Sequence, residues 1–116
     1  MTETERNRQA LEEIVRQCLL LEERVAMADG VRERFMDNAL LQDGCAFCLL
    51  QIGEAANRLS DGFREATREV GWHKVVGMRN IIAHAYGSFD LFVAWETITE
   101  DVPVLKKECE GLLSSW

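Results

Sequence analysis

"CAFCLLQIGEAANRL", residues 45–59, decides the fold. Its apolar positions, Cys45, Cys48, Leu49, Ile52, Ala55, Ala56 and Leu59, recur at spacings of three and four, with no strand-like alternation. On a 3.6-residue repeat such spacings form one stripe, so the stretch reads as a helix with a buried face. The stripe carries both sulfurs of a C-x-x-C pair into the core. Gly53, Ala55 and Ala56 are small enough to let a second helix approach closely.

Outward from this helix the same period continues. Leu11, Ile14, Val15, Cys18, Leu21 and Val25 share a stripe in an N-terminal helix that Thr2 or Thr4 can cap, and Ala28-Asp29-Gly30 stops it. The central helix is expected from about Arg32 to Leu59. Ser60-Asp61-Gly62 breaks it, with Asp61 as the cap of a short third helix through Phe63, Ala66 and Val70. A fourth helix is expected from about Trp72 to His84, presenting Val75, Val76, Met78 or Arg79, and Ile82 to the core. Asp90 is placed to cap the last helical stretch, in which Asp101-Val102-Pro103 marks a kink or a new start. With one proline and no repeat, the 116 residues read as a single all-α domain spanning 1–116, a compact bundle of about five helices.

Composition narrows the function. The longest apolar run, Cys45 to Leu50, is six residues, whereas a spanning helix takes roughly 20. The N-terminal "MTETERNRQ" lacks the apolar run of a secretory signal. A cytoplasmic protein with no membrane association is expected. Cys18 and Cys109 lie far from the Cys45–Cys48 pair, and the histidines are His73 and His84, so no four-ligand metal site is expected and the thiols read as structural. The net charge of −7 disfavours nucleic-acid binding by bulk electrostatics. Residues 58–79 are the exception, with Arg58, Arg64, Arg68, Lys74 and Arg79 against Asp61, Glu65 and Glu69. Should the chain bind RNA, Arg64, Arg68 and Lys74 are the expected contacts, although a solvated helix face is the more common cause of such local charge.

That basic segment runs into "RNIIAHAYG", residues 79–87. Arg79 and His84 are five residues apart and diverge by about 140° on a regular helix. A site using both requires a distorted helix end or a second copy of the chain across a two-fold axis. One imidazole that titrates near neutrality and one guanidinium able to grip a phosphate suit metal-free RNA cleavage. The bland alternative pairs Arg79 with a carboxylate such as Glu54 and leaves His84 to cap its helix. Trp72 and Trp95 read as core or interface anchors before base-stacking platforms. His73 reads as an exposed polar residue.

Three segments in order, "IGEAANRLS" (52–60), "GWHKVVGMRNIIAHAYGSFD" (71–90) and "VAWETITEDVPVLKK" (93–107), closely resemble the HepT-like branch of the HEPN superfamily. Arg79, His84 and Tyr86 fit that family's R-x4-H-x-Y signature, with Asn80 in the usual place after the arginine. The resemblance extends from about Phe35 to Lys107. It implies a dimeric helical bundle in which Arg79, His84 and Asn80 are catalytic. It further implies a metal-independent endoribonuclease toxin with no cofactor. Its partner would be an MNT-type nucleotidyltransferase antitoxin able to AMPylate Tyr86. A non-catalytic binding protein, or an accessory subunit of a nucleotidyltransferase, is the alternative within the same fold. Ala85 stands where many relatives carry a polar residue.

Overall fold

In the computed structural model, which describes residues 1–83 and 90–116, every regular element is helical. Helix α1 (Glu3–Met27) starts at a capping box. The Thr2 side chain accepts from the Glu5 N–H, and the Glu5 carboxylate accepts from the Thr2 N–H. Its inner face is Leu11, Ile14, Cys18 and Leu21, each fully buried. At its end Asp29 and Gly30 adopt positive φ (54° and 69°), turning the chain back on itself.

The expected central helix is two helices. Helix α2 (Arg32–Met36) stops before Asn38, and α3 (Ala39–Asn57) starts there. The cause is local chemistry: the Asn38 side chain accepts from the Leu41 N–H at 3.0 Å, an N-cap in mid-run. Gln42 closes the gap, its amide donating to the carbonyls of Phe35 and Met36 at 2.9 Å each. Phe35 is then buried against Trp95, ring centroids 5.2 Å apart.

Helix α4 (Asp61–Ala66) is capped by Ser60, one residue earlier than expected, through the Phe63 N–H. Ser60 is held in turn by Asn7 of α1, which accepts from the Ser60 N–H at 2.9 Å and donates to its hydroxyl at 3.1 Å. A 3₁₀ turn (Arg68–Val70) and Gly71 at φ 74° lead into α5 (Trp72–Val76). The buried Trp72 indole donates to Thr67 at 2.9 Å.

The expected fourth helix is broken at Gly77, giving α5 and then α6 (Met78–Ala83). There the Asn80 N–H bonds to the Gly77 carbonyl at 2.9 Å, an i→i−3 bond that tightens the ladder. Asp90 caps α7 (Leu91–Glu96) as expected, accepting from Phe92 and Val93. A π turn (Thr97–Asp101) joins α7 to α8 (Val102–Ser114), which starts where Asp101-Val102-Pro103 marks a new start, with Asp101 at the N-cap position and Pro103 in the first turn. The hydroxyls of Thr97 and Thr99 donate to the carbonyls of Val93 and Trp95, one turn back, at 2.8 Å each.

Joined across these breaks, the described segments make a five-member bundle. Helix α3 lies at the centre, packed on α1 on one side and on α5 and α6 on the other, with α8 closing over α1. No helix among the described residues is long and apolar enough to cross a membrane.

Candidate functional site

The centre of the site is set by Gly53 of α3. A Cβ built there would lie 2.7 Å from the Arg79 backbone nitrogen, 2.8 Å from its Cβ and 2.9 Å from the Val76 carbonyl oxygen. Helix α6 therefore rests on α3 backbone-to-backbone at Arg79, the close approach that the small residues of α3 predict. Met78, one residue before, is buried and anchors the helix on its inner side.

From this fixed point the Arg79 side chain runs along the surface of α3, about one-third exposed. Its Nη1 donates to Glu54 Oε1 at 3.3 Å. The pair named in the bland reading of Arg79 is thus present. An ion pair this exposed contributes about 0–1 kcal/mol to stability, so it does not explain why an arginine is held here. Asn80 is exposed next to it. His84 and Tyr86 lie outside the described residues, as does Ala85.

The three expected RNA-binding cations all sit on the surface with carboxylate partners. Arg64 pairs with Asp61 at 3.2 Å, Arg68 with Glu65 at 3.3 Å, and Lys74 with Asp101 of the π turn at 3.3 Å. Arg64 and Arg68 share a shallow groove with Trp72 and the exposed His73. Lys74 stands over a second, more apolar cleft between α6 and α7, lined by Met78, Ile81, Val93 and Thr97.

All four cysteines are buried and free. Burial pushes the thiols of Cys18, Cys45 and Cys109 up to about 12, and that of Cys48 upward too. They are neutral core side chains at ordinary pH, held away from the thiolate form that nucleophilic cysteines use. The C-x-x-C pair lies on the buried inner stripe of α3, as its spacing predicts.

A family model described as Ribonuclease HepT-like matches residues 8–112, nearly the whole chain. The chain belongs to the HepT-like family of the HEPN superfamily. A "Putative RNase" of Caldanaerobacter subterraneus subsp. tengcongensis is 35% identical over 104 residues, covering 89% of this HepT-like chain and 90% of the relative. The "Probable ribonuclease HepT" of Thermococcus cleftensis is 31% identical over 106 residues, covering 88% and 91%. A "Putative RNase" of Methanocaldococcus jannaschii reaches 38% identity over 76 residues, covering 66% and 70%. No solved structure matches the chain. The match begins at residue 8, within α1, although the resemblance in the sequence was confined to residues beyond about Phe35. The helix-forming stripe of α1 is thus part of the family fold as well.

One residue beside Arg79, Glu54, carries more weight in the structure than in the sequence. In the sequence it figured only as the ion-pair partner of Arg79 in the bland reading. The signal for Glu54 was its neighbour: a glycine inside a strongly periodic helix marks a close contact, and the residue beside it lies at the edge of that contact.

Proposed function

We propose that this chain is a metal-independent endoribonuclease and the toxin of a two-gene toxin–antitoxin module. The observation that carries the reading is the family match over residues 8–112, with Arg79, His84 and Tyr86 at R-x4-H-x-Y spacing inside it. In this reading the His84 imidazole takes the proton of a ribose 2′-hydroxyl. The freed oxygen attacks the adjacent phosphorus and displaces the 5′-oxygen of the next nucleotide. Arg79 stabilises the negative charge that gathers on the non-bridging oxygens. Asn80 orients the phosphate or its partner groups by hydrogen bonding.

The active unit is a homodimer, which resolves the 140° divergence of Arg79 and His84 by placing two copies of the motif at one cleft. The partner's His84 then protonates the leaving 5′-oxygen. Arg64, Arg68 and Lys74 attract the RNA backbone towards the cleft. The antitoxin is an MNT-type nucleotidyltransferase that transfers AMP to Tyr86. An added phosphate two residues from His84 would repel RNA and fill the cleft.

The test is cleavage of cellular RNA by the purified protein in EDTA, beside His84→Ala prepared in parallel. Cleavage by wild type alone supports the reading. Equal cleavage by both identifies a contaminating nuclease, and an inactive wild type of unmodified mass overturns the reading.

A further inference from the structure

We infer that Glu54 is a positioning residue for Arg79, and that the carboxylate holds the guanidinium in the orientation that receives a substrate phosphate. The inference rests on the proposed ribonuclease function and adds to it a residue outside the R-x4-H-x-Y motif.

Three observations carry it. The first is register. Gly53 locks the backbone of Arg79 against α3, with its Cβ position 2.7–2.9 Å from atoms of Arg79 and Val76, so residue 54 is fixed next to residue 79 whatever the side chains do. The second is the form of the contact. Glu54 Oε1 meets Nη1 at 3.3 Å through one oxygen, which steers the guanidinium without the two parallel bonds of a fully engaged fork. The third is exposure. The Arg79 and Glu54 side chains are 35% and 44% accessible, so the pair stands at the surface of the α3–α6 seam, where an incoming phosphate can reach it. An arginine at such a place has four rotatable bonds. A carboxylate that limits them lowers the ordering cost when the transition state forms.

The negative charge of Glu54 also opposes phosphate binding, so its contribution belongs in turnover and not in affinity. Glu54→Gln keeps the size and the surface position. It is expected to lower kcat by at least about tenfold, with KM within about twofold of wild type and the thermal midpoint unchanged. In an Arg79→Ala background the same substitution is expected to cost nothing further, because its effect passes through Arg79. An independent measurement is the ¹⁵N relaxation of the Arg79 Nε–Hε group, assigned by its disappearance in Arg79→Lys. Its order parameter is expected to fall in Glu54→Gln. Unchanged or increased kcat, additive losses in the double variant, or an unaltered Arg79 order parameter would each overturn the inference. If the wild-type protein fails to cleave RNA, the ribonuclease reading falls, and the relaxation measurement alone decides whether Glu54 holds Arg79.

Discussion

At the scale of the residue, the seam between α3 and α6 depends on a missing atom. Alanine is the better helix former by about 1 kcal/mol, so Gly53→Ala would stabilise an isolated α3. In the bundle the new methyl meets backbone atoms of Arg79 and Val76 at 2.7 and 2.9 Å, which cannot swing aside as a side-chain tip does. Overpacking of this kind costs about 1–3 kcal/mol, and a net loss of stability is expected from the urea midpoint. Gly62 provides the control. A Cβ there meets nothing within 4 Å, and Gly62→Ala is expected to gain about 0.5–1 kcal/mol. Equal effects at the two positions would mean that the α3–α6 contact is looser than described.

At the scale of the element, the junctions between helices are held by polar side chains that a hydrophobic period does not register. The stripes of α1 and α3 were legible because burial repeats every three or four residues, and Leu11, Ile14, Cys18, Leu21, Cys48 and Ile52 all lie in the core. The breaks were not. Asn38 sits inside an otherwise continuous pattern and ends one helix while starting another, and its role depends on where Gln42 reaches. Ser60 displaces Asp61 as cap because Asn7, fifty-three residues earlier, holds it in place. The widened turn at Thr97–Asp101 depends on two threonine hydroxyls returning to backbone carbonyls. Such long-range or backbone-directed bonds leave no period in the sequence. Asn7 tests the point. It is 5% exposed and makes both bonds to Ser60. Asn7→Ala removes both and leaves the Ser60 N–H without its acceptor, at a cost of about 1–3 kcal/mol. A melting temperature unchanged by Asn7→Ala would show that the α1–α4 junction is held by packing alone.

At the scale of the whole molecule, the core thiols give the fold a pH response that can be checked without any assay of function. In the unfolded chain a cysteine titrates near its usual 9.0, whereas Cys18, Cys45 and Cys109 titrate at about 12 when folded. Below pH 9 both states keep the proton and the thiols leave stability unaffected. Between about 9 and 12 the unfolded chain has released protons that the folded chain retains, so stability falls as pH rises, by up to about 1.4 kcal/mol per pH unit for each thiol. Urea midpoints measured at pH 8 and pH 10 are expected to diverge. Replacing Cys109 with alanine lowers both and reduces the difference between them. An identical difference with and without Cys109 would contradict the burial of that thiol.

The same scale bears on the site. The whole R-x4-H-x-Y spacing was legible in the sequence; of its three residues Arg79 lies among the described ones, and packing accounts for its place: Gly53 fixes it, and Glu54 meets it. A site spread over two helices, and in the proposed dimer over two chains, shows in one sequence only as a spacing that a regular helix cannot satisfy. The proposed chemistry turns on an atom of the substrate, the ribose 2′-oxygen as nucleophile. The most direct measurement uses one RNA oligonucleotide that the protein cuts at a mapped position, and a second differing only by a 2′-deoxyribose on the 5′ side of that bond. In EDTA, wild-type protein is predicted to cut the first, leaving a 2′,3′-cyclic phosphate and a 5′-hydroxyl, and to leave the second intact. Cleavage of the deoxy-substituted strand at the same bond would contradict the account.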